Sequence, residues 1–170
     1  MNLRYVQIFC LLRRHSLRNN VNNSNRVILI IACSILFSCA TAQQTQWKSR
    51  EAEVYNNRGF DYCQIGQYDQ AILDLGKAIE IDPRLARAYN NRGWAYIKNW
   101  QYDQAISDFS KTIEIDPRFV EAYFYRAVGY FLVEEYDKSL LDVIKAQQLG
   151  YQIPPEFLDE LRKAAGSIGV

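Results

Sequence analysis

The stretch "VYNNRGFDYCQIGQYDQAI" at residues 54 to 72 is repeated nearly letter for letter as "AYNNRGWAYIKNWQYDQAI" at 88 to 106. Sliding by the same 34 residues lands on "AYFYRAVGYFLVEEYDKSL" at 122, which keeps the tyrosines and the Tyr-Asp pair and loosens the rest. Three copies at one period predict a repeat architecture. Each copy must bury its apolar face against its neighbours, because a unit of this size has no core of its own.

The 170 residues are 49% hydrophobic, enough for one ordinary domain and too apolar for wholesale disorder. Five arginines and no acid fall in residues 1–42, which leaves 15 basic against 19 acidic residues beyond. A mildly acidic body offers no basic face to phosphates, so nucleic acid is not an expected partner.

The basic arm has another reading. In "NRVILIIACSILFSCATAQQ" an arginine precedes the apolar run Val27 to Phe37 and then small residues, the layout of an export signal. The run is short of the about 20 apolar residues a spanning helix needs. "LFSC" at 36–39 resembles a bacterial lipobox, which implies acylation of Cys39 and membrane attachment through it. "ATA" at 40–42 offers a competing cleavage site, whose soluble product would begin at Gln43. Residues 1–42 are therefore read as leader and 43–51 as a short linker. Three of the four cysteines lie in the leader, so Cys63 stands alone in the body and is expected to be a small buried hydrophobe.

The first copy carries Tyr55, Gly59, Tyr62, Ala71, Leu75, Ala78 and Pro83, and the second Tyr89, Gly93, Tyr96, Ala105, Phe109 and Pro117 in register. This pattern resembles the tetratricopeptide repeat. The resemblance implies an all-α chain, an α-solenoid of three helix-turn-helix units (52–85, 86–119, 120–153) with a C-terminal capping helix and tail at 154–170. Helices are expected at 52–65, 69–82, 86–99, 103–116, 120–133 and 137–149. Asp69, Asp103 and Asp137 are expected to cap the second helices. Asp74 with Lys77, Asp108 with Lys111 and Asp142 with Lys145 read as solvated pairs three residues apart. The third unit departs from the pattern, with Ala127, Ser139 and Tyr151 where the others have glycine, alanine and proline.

Arg58, Arg92 and Arg126 form a ladder where the repeat expects leucine. Either it is a basic stripe for an acidic partner or each arginine pairs with an aspartate of the same period. A feature present in every unit suits internal packing better.

Catalysis has little to stand on. The single histidine, His15, lies in the leader, which removes Ser-His-Asp and Cys-His arrangements from the body. No glycine-rich phosphate loop, paired-cysteine zinc motif or calcium loop occurs, so no enzyme, cofactor or metal site is expected. The resemblance implies instead that the first helices line a concave groove that holds a protein or peptide partner. Its lining would include Asn56, Phe60, Arg87, Asn90, Asn91, Trp94, Phe124 and Phe131. The members of the family that clamp a chaperone's C-terminal carboxylate use basic residues and asparagines at set places. Here those places hold Asn56, Phe60, Asn91, Glu121 and Tyr125, of which only Asn91 fits. The expected role is a non-enzymatic interaction scaffold. An envelope assembly factor working through other faces, or a regulatory subunit of a separate enzyme, is the alternative.

Overall fold

The computed structural model describes residues 23–166, and the leader before Asn23 lies outside the described residues. Seven helices occur among them: α1 (Asn23–Gln64), α2 (Tyr68–Ile81), α3 (Ala86–Lys98), α4 (Tyr102–Ile115), α5 (Val120–Leu132), α6 (Tyr136–Gln148) and α7 (Pro155–Gly166). No strand occurs in this range. The chain divides at Trp47/Lys48 into two units. The second contains three helix pairs, formed by the end of α1 with α2, α3 with α4, and α5 with α6, followed by α7. Residues 43–51, expected as a linker, are helical and continue α1. The stretch is polar and holds neither glycine nor proline, so nothing in it breaks a helix. No described helix is long and apolar enough to cross a membrane.

The glycine and alanine positions show how each pair closes. A Cβ added at Gly59 would stand 2.6 Å from Leu75 Cγ, and one at Gly93 would stand 2.7 Å from Phe109 Cε1. The large residue of the second helix therefore presses directly on the backbone of the first. In the third unit the first-helix residue is Ala127, and its partner shrinks to Val143, with both buried. Ser139, in the place of the alanine, donates its hydroxyl to the Ala127 carbonyl at 2.8 Å. The third unit's departures from the pattern thus compensate one another.

Second helices begin one residue earlier than expected, at Tyr68, Tyr102 and Tyr136. The capping positions are Gln67, Gln101 and Glu135, and none makes a side-chain cap bond. Asp69, Asp103 and Asp137 are not caps. They sit within the first turn, where a negative charge complements the helix dipole. Asp69 also accepts a hydrogen bond from Asn99 of the next unit at 3.0 Å. Each "IDPR" forms an Asx turn, with Asp82 accepting from the Arg84 N–H and Asp116 from the Arg118 N–H, both at 3.0 Å. The aspartate before each proline is extended, and the helix ends there.

The turn between first and second helix closes with a left-handed residue in every unit: Gly66 (φ 76°), Trp100 (φ 61°) and Glu134 (φ 63°). Only the first is a glycine. α6 ends on Gly150 at φ 91°, with Tyr151 N–H bonded to the Ala146 carbonyl and Gly150 N–H to that of Gln147, a Schellman closure. α7 then folds back so that Phe157 meets Phe124 and Phe131 edge-on at 5.6 and 5.5 Å, and Leu161 is fully buried. It closes the apolar end of the third unit, as a capping helix must.

Candidate functional site

The arginine ladder is structural. Arg92 grips Asp108 with both nitrogens, Nε to Oδ2 at 2.7 Å and Nη2 to Oδ1 at 2.8 Å. Arg126 grips Asp142 at the same two distances. Arg58 makes the same bidentate contact with Asp74, Nη2 to Oδ1 being 2.8 Å. Each aspartate lies 16 residues after its arginine and is buried. The expected surface pairs with Lys77, Lys111 and Lys145 therefore do not form. Lys77 lies over the Tyr55 ring, and Lys111 bonds Glu114 at 2.7 Å. The guanidinium of Arg58 holds the Asp74 carboxyl below its ordinary value. Burial pushes the Asp108 carboxyl up against the same kind of partner. Each arginine thus pairs with an aspartate of its own period, the reading that recurrence in every unit favours, and the step of 16 identifies which aspartate it is.

The groove follows from which helices touch. Asn91 of α3 donates to Asn56 of α1 at 3.0 Å, Arg87 of α3 bridges to Glu53 of α1, and Trp94 of α3 meets Tyr125 of α5 at 5.2 Å. First helices of successive units thus contact each other directly.

The expected lining residues divide into four groups. Phe60 is 45% exposed, and the Arg87 side chain is 60% exposed. Asn56, Asn90 and Asn91 are the amides among them, Asn56 and Asn90 buried and Asn91 partly so. Asn56 is buried, donates to Asn57 at 3.2 Å and accepts from Asn91, so Asn91 is already engaged. Asn90 is also buried, and its Oδ1 has no hydrogen-bond partner. Trp94 is half-buried, packed on the first core cluster, with Tyr125 on one side and Lys98 Nζ 4.5 Å from its ring centroid. Phe124 and Phe131 are taken up by the cap. Phe124 stacks on Tyr151 at 4.9 Å, and both phenylalanines meet Phe157.

Cys63, on α1, is buried, and burial pushes its thiol up to about 11. Among the described residues no group of three or more His, Cys, Asp or Glu gathers to hold a metal ion. The side chain of Cys39 lies outside the described residues.

A family model described as a TPR repeat matches residues 59–99, and one described as the tetratricopeptide repeat matches residues 86–119. Residues 59–119 are tetratricopeptide repeats. Solved structures of such repeats superpose on the chain. The first TPR of Spaghetti (RPAP3), bound to an HSP90 peptide SRMEEVD, is 25% identical with a TM-score of 0.66, covering 72% of this chain and 96% of that one. The TPR2B domain of yeast Sti1, in complex with pHsp70, is 28% identical with a TM-score of 0.60, covering 71% and 98%. MamA is 30% identical with a TM-score of 0.57, covering 59% of each chain. No curated protein sequence matches the chain. Tetratricopeptide modules are typically protein-interaction modules rather than catalysts, and the two complexes hold partners of that kind.

Proposed function

We propose that this chain is a non-enzymatic scaffold that holds a peptide or protein partner along the inner wall formed by α1, α3 and α5. The observation that carries the reading is the lining of that wall. It combines an exposed Phe60 and Arg87, amides of which Asn90 Oδ1 lacks a partner, and a half-buried Trp94. Apolar anchors flanked by amides suit an extended backbone, which offers N–H and C=O groups at regular intervals. The structural neighbours with peptides bound support the same use of the fold. A chaperone's acidic tail is not the partner we propose, because Glu121 and Tyr125 stand where basic residues would be needed and Asn91 is engaged with Asn56.

Phe60→Ala provides the clean test. Its exposed ring carries little of the core, so the variant should stay folded while losing about 1–2 kcal/mol of affinity for a captured partner. Wild-type affinity in the folded variant would remove the groove from the account. Trp94→Ala is less informative alone, because it also opens the interface with Tyr125.

Export and a lipid anchor at Cys39 complete the proposal, with a soluble periplasmic or secreted protein as the alternative. They rest on Arg26, the apolar run and "LFSC". Acyl chains contribute roughly 0.8 kcal/mol per buried CH₂, so two or three would hold an acidic body to a bilayer it would not seek by charge. Wild-type protein should partition into detergent and Cys39→Ala should not. Recovery of a soluble wild-type species beginning at Gln43 would overturn the anchor.

A second reading has one observation in its favour. Leu73, Leu141 and Ile144 are 66%, 67% and 49% exposed on the second helices, away from the groove. Isolated apolar residues on a surface are common. Loss of binding in Leu141→Ser or Ile144→Ser, with Phe60→Ala unaffected, would favour an assembly factor working through its outer face.

A further inference from the structure

Where the first two units place asparagines, Asn57 and Asn91, the third places a phenol, Tyr125. Glu121 and Tyr125 stand one turn apart on α5, on one helical face. The Tyr125 ring is held by Trp94 at 5.2 Å, Phe124 at 5.5 Å and Phe109 at 5.8 Å. Phe124 in turn stacks on Tyr151 at 4.9 Å with an interplanar angle of 24°. Rings fixed in this way hold the two phenols beside the carboxylate. Both phenols are raised, first by burial, and the negative charge of Glu121 raises each further.

None of these three side chains makes a hydrogen bond or ion pair among the described residues. The nearby cations leave the carboxylate unpaired. Arg87 is engaged with Glu53, and Arg118, three residues before Glu121, forms no ion pair with it. The unit-to-unit register explains the neighbouring orphan as well. Asn91 donates to Asn56, and one period on, residue 125 would donate to Asn90. A phenol stands there in place of an amide; its O–H makes no hydrogen bond to Asn90, and Asn90 Oδ1 is buried without a partner.

We infer that Glu121, Tyr125 and Tyr151 form a subsite for a lysine or arginine side chain of the peptide held in the groove. The inference rests on the groove reading and names the chemistry of its occupant. A guanidinium or ammonium would find a carboxylate for its charge and phenol oxygens for its N–H groups. Its apolar stem would lie along the aromatic cluster. An acidic side chain would be repelled by the Glu121 carboxylate, and the phenol hydroxyls, which donate as well as accept, would not offset that charge. The same array that lacks a carboxylate clamp therefore has the opposite selectivity built into its third unit.

The test uses the full-length chain and fluorescein-labelled, amidated nonapeptide mixtures that differ only at the centre: arginine, lysine, citrulline or glutamate. Fluorescence anisotropy should rank arginine and lysine about fivefold to tenfold tighter than citrulline, with glutamate weakest. Glu121→Gln should erase that preference, while Glu80→Gln, on α2, should preserve it. A preference that survives Glu121→Gln, or no preference in the wild type, overturns the subsite. If all mixtures bind and Phe60→Ala weakens them alike while Glu121→Gln changes nothing, the groove reading stands without the subsite. No binding by any mixture overturns both.

Discussion

Replacing Arg92 by alanine should unfold the array far more readily than replacing an exposed arginine such as Arg84. Asp108 is 5% exposed and receives two charge-assisted hydrogen bonds from Arg92, whose side chain is 21% exposed. With the arginine gone, the carboxylate keeps its burial and loses both donors. Breaking a buried pair from one side costs about 3–5 kcal/mol, because the remaining charge is stranded. The water-facing side of Arg92 argues for the lower end. The carboxyl of Asp108 is already pushed up by burial, and losing Arg92 must raise it further. A carboxyl raised above its unfolded value favours the folded state only when protonated, so the variant regains stability as pH falls and loses it as pH rises. Urea denaturation followed by circular dichroism at pH 7 and near pH 4.5 reads both effects. The gap between wild type and Arg92→Ala should be widest at pH 7 and narrower in acid. Joint replacement of Arg92 and Asp108 by leucines should recover most of the loss, since the double change strands nothing. A loss under about 1 kcal/mol at pH 7, or a loss equal at both pH values, would refute the structural role and return the ladder to the surface.

Gly93→Ala should cost about 1–3 kcal/mol through overpacking against Phe109, and adding Phe109→Val should recover part of it, as Val143 opposite Ala127 suggests; chemical denaturation of the single and double variants checks this. Cys63, with its thiol at about 11, should resist iodoacetamide at pH 8 in the folded chain and react promptly in urea, read by mass spectrometry. Trp100→Gly should raise stability by about 0.5–1 kcal/mol, because a left-handed, 80% exposed tryptophan gives way to a residue without that strain, measurable as a higher melting temperature. Truncation before Pro154 uncovers Phe124 and Phe131 and should lower the melting temperature clearly or cause aggregation, whereas coincident melting curves would count against the cap.

The period carried most of the fold. Apart from the start of α1, which runs back to Asn23, tyrosine, glycine, alanine and proline at fixed offsets located three helix pairs to within a residue or so, because each is demanded by local geometry that recurs unit by unit. Errors arose where one residue type suits two jobs. Asp69 and its equivalents have the chemistry of a cap, yet the preceding tyrosine already takes helical dihedrals, so they fall inside the first turn. Asp74 sits three residues before a lysine on one helix, and only the fold brings Arg58 to it from another. Similar limits apply to the groove. Phe60 and Arg87 are exposed as their positions in the unit imply, but Phe124 and Phe131, at two other expected lining positions of the third unit, lie under α7. What covers a groove residue depends on the chain after the last unit, which the periodicity does not reach.

Each buried ion pair is also closed within its own unit. Arg58, Arg92 and Arg126 find their carboxylates 16 residues ahead, and ion pairs and amide bonds between units are made by neutral or exposed groups such as Asn91 with Asn56 and Arg87 with Glu53. Gene duplication or deletion of one whole unit would therefore leave every buried carboxylate with its own arginine. Array length can drift over evolutionary time, or be set by an engineer, without creating the stranded charge that would otherwise veto each intermediate.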